Sequence, residues 1–346
     1  MASVRNSIQN LLNSTDEVPY HQRRITINGR EYMRAFYHRL YPFPCDKEEL
    51  ERLDMFGTIL YYIVLSDDPE RVAKASFAPL GSRERARVLD VGCGTGWWIL
   101  LLAENRPRYE YVGIDLAQIQ PGQPANKADD LHPNVRIDFD APVDMNSGSW
   151  GRFCPPNSFD LVHAAQLLGS VHDWSRFYRT VYEYVKPGGW AEFVEIDWTP
   201  RYDGLCNEDD RRALEKWWND LVLASQTMGR SIQLPLRVEQ LITRAGFVNI
   251  RHEMRAMNCG RKAARFYADE RERWRADACY RGVTGSMGCK DLRPWSGLSM
   301  ELLTRFGGYT RAEVEALDAR LCDAILRPEN PFYFNIHVWT AGKPMY

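Results

Sequence analysis

Val88-Leu-Asp-Val-Gly-Cys-Gly-Thr-Gly96 is an apolar run that passes straight into three alternating glycines and then into the apolar stretch Trp97–Ala103. Glycine at every second position lets the backbone turn tightly and approach a ligand closely, because no Cβ stands in the way. A strand before such a turn and a helix after it form one βα unit. In open parallel sheets the ligand lies beyond the carboxyl ends of the strands, where this turn sits. Roughly twenty residues further on, the next apolar run, Tyr109–Asp115, ends in an acidic residue placed to take hydrogen bonds from a ribose diol.

The third glycine decides which nucleotide is expected. A dinucleotide fingerprint is G-x-G-x-x-G, with the last glycine letting the helix pack closely while its N-terminus faces the pyrophosphate. Here the pattern from Gly92 is G-C-G-T-G-W, so the third glycine arrives one residue early and Trp97 holds the dinucleotide position. NAD is disfavoured. No Lys-Ser/Thr pair follows the turn, so a P-loop for nucleoside triphosphates is absent too. A ligand with ribose and no phosphate fits, with Asp90 facing a cationic amino group, and S-adenosyl-L-methionine meets both conditions.

Outward from this unit, short apolar strands alternate with helices: Arg87 to Val91, a helix from about Trp97 to Glu104, Tyr109 to Asp115, Val135 to Phe139 and Phe159 to His163. A helix from about Trp174 to Val185 and a strand at Trp190 to Ile196 follow, separated by Lys186-Pro-Gly-Gly189, which cannot continue a helix. This alternation predicts an α/β fold with a parallel sheet. Helices at about 208 to 227 and 236 to 245, a strand at Phe247 to Glu253 and a last strand at Phe332 to Thr340 complete the pattern. The chain then divides into a polar N-terminal segment (1–27), an N-terminal helical cover (28–84), a cofactor-binding core (85–257), a helical insertion (258–330) and a C-terminal strand that completes the core (331–346). Within the cover, apolar residues from Leu50 to Ile63 recur at helical spacing behind Asp46 as an N-cap. This helix, about 46 to 65, either covers the core or closes over a ligand.

Composition narrows the partners. In 346 residues Lys plus Arg is 44 and Asp plus Glu is 46, a net charge of −2, so no global positive field gathers nucleic acid or an anionic membrane. The longest purely apolar run is Trp97–Ala103, far short of the roughly 20 residues a membrane span needs. Met1 to Tyr20 is too polar for a signal peptide, so an intracellular protein is expected. The eight cysteines form no C-x-x-C pair and no zinc-like spacing, and no metal site is expected.

Asp90-Val-Gly-Cys-Gly-Thr-Gly96, Asp115 and Lys186-Pro-Gly-Gly189 resemble the motifs of class I S-adenosylmethionine-dependent methyltransferases. More narrowly, Tyr41-Pro-Phe-Pro-Cys-Asp46 with Glu51-Arg-Leu-Asp54, Gly113-Ile-Asp-Leu-Ala-Gln-Ile-Gln-Pro121, Gly169-Ser-Val-His-Asp-Trp174 and Val194-Glu-Ile-Asp-Trp-Thr-Pro-Arg201 resemble the LaeA-like fungal methyltransferases. The resemblance runs from about residue 28 to the C-terminal strand. It implies a seven-stranded Rossmann-like sheet and a regulator of secondary metabolism that acts in the nucleus with velvet-family protein partners. Two alternatives stand beside it: a pathway methyltransferase that modifies a small-molecule secondary metabolite, found in the cytoplasm, and a cofactor-binding scaffold without catalysis.

Carried over residue by residue, the resemblance places Asp90, Gly92, Cys93, Gly94 and Gly96 in the loop around the methionine part of the cofactor, and Asp115 with Leu116 at the ribose. For adenine it favours Asp144 with Met145 stacking on the base, and Asp140 is the reserve. His163 and Gln166 follow the fourth strand, where the reaction centre is expected; His163 is read either as general base or as a wall residue touching the cofactor. Of the adjacent Trp217 and Trp218, at most one is expected at the pocket. An enzyme is further expected to fold Tyr41 or Phe43 from the cover, and Trp274 or Trp295 from the insertion, over the cofactor edge to exclude water.

Overall fold

The computed structural model describes residues 24–34, 41, 43–64, 76–81, 83–115, 134–138, 150, 154–202, 206–258, 298–327, 330 and 332–346. A hairpin leads into the cover: β1 (Arg24–Ile27) pairs antiparallel with β2 (Arg30–Met33). Asn28 and Gly29 make the two-residue turn, both with positive φ (51° and 82°), the backbone that Asn-Gly supplies at least cost. Arg30 then grips Asp46 with two hydrogen bonds, Nε at 2.7 Å and Nη2 at 2.8 Å, while Asp46 Oδ1 accepts from the Glu49 N–H at 3.0 Å as the expected N-cap. Helix α1 (Lys47–Thr58) starts there and runs on as a π-helical stretch, Ile59–Val64.

The core is a seven-stranded sheet in the order β5-β4-β3-β6-β7-β9-β8. Its strands are β3 (Arg87–Val91), β4 (Glu110–Ile114), β5 (Val135–Asp138), β6 (Phe159–Ala165), β7 (Val185–Tyr202), β8 (Val248–Asn258) and β9 (Phe332–Gly342). β5, β4, β3, β6 and β7 are mutually parallel, and β9 runs antiparallel between β7 and β8. The chain moves outward from β3 to β5, then returns to the other side of β3 with β6. This makes the carboxyl ends of β3 and β6 the topological switch point, the crevice where such sheets take ligands.

Apolar side chains alternate between the two faces. Val88, Leu161 and Val194 join the layer built with α1, α2 (Trp97–Asn105), α4 (Glu208–Met228), α6 (Leu298–Phe306) and α7 (Arg311–Leu326). Leu89, Val162 and Phe193 face α3 (Trp174–Tyr184) and α5 (Val238–Arg244). Helix starts carry the caps the sequence provides: Asp173 accepts from Arg176 N, Asn207 from Asp209 N and Asp210 N, and Thr310 with Glu313 forms a reciprocal capping box.

One boundary differs from the sequence reading. β7 begins at Val185, before Lys186-Pro-Gly-Gly189, because Val185 pairs with Phe159 and a register shift then absorbs the glycines before Trp190 pairs with Leu161. Both Trp217 and Trp218 are buried in the helical layer, with Trp217 Nε1 donating to Ser299 Oγ at 3.1 Å, so neither lines the crevice. Among the described residues no helix is long and apolar enough to cross a membrane.

Candidate active site

At the carboxyl end of β3 the chain turns through Gly92, Gly94 and Gly96 with φ of 72°, 54° and 79°. A Cβ is penalised at all three positions, which accounts for the alternating glycines. The N–H groups of Gly92 and Cys93 donate to Ile114 O at 2.8 and 3.1 Å, stitching the turn to the end of β4. One residue later Asp115 Oδ2 accepts from Gly94 N at 2.8 Å, which fixes the carboxylate at the lip of the crevice.

The cover closes the opposite wall. Thr95 Oγ1 in the turn donates to Asp54 Oδ1 on α1, and a Cβ at Gly94 would meet Leu53 Cδ1 at 3.7 Å. Tyr41, Glu49 and Tyr61 line the same cleft as Asp90, Gly94 and Asp115. Phe43 packs over Gly169, where a Cβ would stand 2.6 Å from its Cζ. The cover therefore folds over the carboxyl edge, as expected of Tyr41 or Phe43; Trp274 and Trp295 lie outside the described residues.

Charge in the cleft is mostly negative. Glu49, Asp90 and Asp115 line it against one guanidinium, Arg230, which donates to Ser170 O at 2.5 Å. The nearby Arg52 is clamped by Glu49 through Nε at 3.0 Å and Nη2 at 2.5 Å. With Glu49 held by Arg52, Asp90 and Asp115 are the carboxylates left beside the glycine turn, a lining that suits a cationic, ribose-bearing ligand. Burial raises the Cys93 thiol well above its ordinary range, and Asp115 and Asp90 add to the rise, which keeps it an uncharged wall of the turn.

His163 is 1 % exposed, and the sheet register explains why. Asp90 on β3, His163 on β6 and Glu192 on β7 are successive cross-strand partners, so their side chains form a row on the face toward α1. His163 Nδ1 lies 2.8 Å from Asp90 Oδ1, Nε2 lies 2.6 Å from the Tyr61 hydroxyl, and the imidazole stacks on Trp98 with centroids 3.7 Å apart at 7°. Nε2 thus already holds a hydrogen bond to Tyr61, which stands beside His163 in the cleft wall. Tyr61 itself carried no sequence signal, because the contact depends on the π-helical turn at Ile59–Val64 and on a register that spacing does not reveal.

Of the residues expected at the cofactor, the structure brings Asp90, Gly92, Cys93, Gly94, Asp115 and His163 to one cleft. Gly96 sits just behind it as the N-cap of α2. Leu116, Asp140, Asp144 and Met145 lie outside the described residues. Gln166 lines the cleft directly after β6 with φ of 55°, a strained value for a residue with a side chain.

Comparison with known proteins agrees with this geometry. Residues 64–252 match the family model described as a methyltransferase domain. The chain is 31% identical over 340 residues to the secondary metabolism regulator LAE1 of Cochliobolus heterostrophus, covering 94% of this chain and 97% of that protein. It is 30% identical over 332 residues to the secondary metabolism regulator laeA of Aspergillus flavus, covering 96% and 79% of the two chains. It is also 30% identical over 334 residues to a protein of Emericella nidulans named protein-methionine methyltransferase laeA, covering 96% and 79%.

Proposed function

The chain belongs to the methyltransferase-domain family, within the group of LaeA-like secondary metabolism regulators, and from that membership we propose that it is an S-adenosylmethionine-dependent methyltransferase that regulates secondary metabolism. The observation that carries this reading is the pairing of Asp115 with the glycine turn, Gly94 N to Asp115 Oδ2 at 2.8 Å, inside a cleft whose wall is acidic and whose other side is the cover helix. When bound, the cofactor supplies a methyl group on a sulfonium, activated for displacement.

The chain's own residues do the rest. Gly92 and Gly94 present bare backbone, Asp115 holds the ribose hydroxyls, and Asp90 gives the cationic end of the ligand a carboxylate to face. Trp97, Trp98 and Leu53 keep water from the reacting atoms, and alignment of the acceptor at about 3–3.5 Å supplies most of the acceleration in such a transfer. The closed cover favours an enzyme over a scaffold, which has no need of an enclosed chamber. On the adenine side the family resemblance names Asp144 and Met145.

The regulatory part of the proposal includes velvet-type protein partners and a nuclear location, supported by the relatives' role as secondary metabolism regulators. Incubation with methyl-labelled S-adenosylmethionine and separate protein and metabolite fractions tests the enzymatic part. Label in either fraction is expected, and label in neither contradicts it. Affinity capture from nuclear extract tests the partners, and recovery of no velvet-type protein removes that part.

A further inference from the structure

We propose that Tyr61, His163 and Asp90 form a proton relay that opens on the cleft through the Tyr61 hydroxyl, and that the methyl acceptor is accordingly a protic nucleophile, a hydroxyl or amine that loses its proton as it is methylated. The inference rests on the methyltransferase reading above and adds to it the class of the acceptor.

The geometry gives the relay a direction. Asp90 is an acceptor when ionised, so His163 Nδ1 at 2.8 Å carries the ring proton and Nε2 is left as a lone-pair acceptor for the Tyr61 hydroxyl at 2.6 Å. In that state Tyr61 Oη keeps lone pairs for a proton arriving from the cleft, which Tyr61, His163 and Asp90 all line. Burial raises the Tyr61 hydroxyl well above its ordinary value, and Glu192 and Asp90 add to the rise, so Tyr61 passes a proton on and does not store a negative charge.

The relay is also built to hold the proton once it arrives. An imidazolium at His163 would face the Asp90 carboxylate at 2.8 Å on one side and Glu192 Oε1 at 3.9 Å from Nε2 on the other. Glu192 Oε2 accepts from Ser76 Oγ at 3.0 Å, Phe77 N at 2.6 Å and Ala78 N at 2.9 Å, while Oε1 has no hydrogen-bond partner among the described residues. The stacked indole of Trp98, centroids 3.7 Å apart, presents its negative face to the same ring. Asp90, Glu192 and Tyr61 are the titratable groups the structure places against the imidazole: Asp90 as its paired carboxylate, Glu192, whose carboxyl burial pushes up, at 3.9 Å, and Tyr61 as the hydroxyl that delivers the proton. A π-helical stretch, an arrangement concentrated at functional sites, is what carries Tyr61 into place.

In the step itself the acceptor's X–H bond breaks and its proton passes to Tyr61 Oη, as Tyr61's own proton passes to His163 Nε2. The electron pair left on X forms the bond to the methyl carbon, and the pair of the breaking carbon–sulfur bond stays on sulfur. His163 then returns its proton through Tyr61 to solvent as product leaves. A methionine thioether has no proton to give, so this relay serves a different nucleophile from the one in the name of the Emericella relative.

Two measurements test this. Nitrogen NMR of the histidine-labelled wild-type protein is expected to show neutral His163 with Nδ1 protonated and Nε2 bare, and Tyr61→Phe is expected to shift the Nε2 signal. An Nε2–H tautomer, or imidazolium at neutral pH, overturns the relay, since neither takes a proton from Tyr61. The second measurement compares transfer to phenol, neutral at about pH 8, with transfer to 4-nitrophenol, largely ionised there, and to a methionine-containing peptide. Tyr61→Phe is expected to slow methylation of phenol by about 10²–10⁴-fold, leave methylation of 4-nitrophenolate within a few-fold, and leave cofactor affinity within a few-fold. Equal slowing of both phenols, label in the peptide alone, or no label in either phenol with cofactor bound overturns the proposal. Failure of the cofactor to bind overturns the reading beneath it instead.

Discussion

Gly57 on α1 and Trp97 at the start of α2 touch so closely that a Cβ at position 57 would stand 2.8 Å from Trp97 Cε3. The indole is rigid and held by the turn before it, so a side chain at Gly57 must push the cover away from the glycine turn. Gly57→Val is predicted to cost about 1–3 kcal/mol of stability by overpacking and to weaken cofactor binding in parallel. Denaturant unfolding and calorimetry of the variant check this, and unchanged values in both would mean the cover is not seated on the turn.

Asp115→Ala removes a charged acceptor that also fixes Gly94 N. Each hydrogen bond to a charged group is worth about 1.5–3 kcal/mol, a rise of roughly 10- to 150-fold in the cofactor's Kd. Binding titration of the variant reads the loss directly, and an unchanged Kd removes Asp115 from the ribose.

Glu195 predicts a pH dependence of stability. Its Oε1 accepts from Leu167 N at 2.8 Å, Oε2 has no partner among the described residues, and burial pushes the carboxyl from 4.5 up to about 8 against the pull of the Leu167 and Leu168 N–H groups. The folded protein therefore holds this proton more tightly than the unfolded chain. The stability tied to it is fully present below 4.5 and is lost as pH rises through about 8. One such group gives a slope of at most about 1.4 kcal/mol per pH unit. Glu195→Gln keeps an oxygen for Leu167 and cannot ionise, so unfolding free energies at the two ends of that window should lie closer together in the variant. The same spread in both proteins would assign the slope elsewhere.

The sheet was readable in advance because its signals are local: apolar runs at β3, β4, β6 and β9 and a glycine turn whose spacing speaks for the ligand. The turn-and-acid pair Gly94 and Asp115 was legible for the same reason. What escaped depends on register and long-range packing. Asp90, His163 and Glu192 lie in one row only because β3, β6 and β7 pair as they do, and nothing in the separation of residues 90, 163 and 192 announces it. Tyr61 reaches His163 from 102 residues away through a π-helical turn, and Asp54 reaches Thr95 from 41 away. The turn at Asn28-Gly29 carries a local signal, but flanking strands of four residues each are too short to announce their pairing.

The crevice at β3 and β6 is predicted to take S-adenosylmethionine. Calorimetric titration of the whole protein with S-adenosylmethionine and, separately, with NAD tests it most directly. The acidic lining, the early third glycine and Trp97 predict saturable binding of S-adenosylmethionine and no heat from NAD. Saturable binding of NAD with none of S-adenosylmethionine would contradict it.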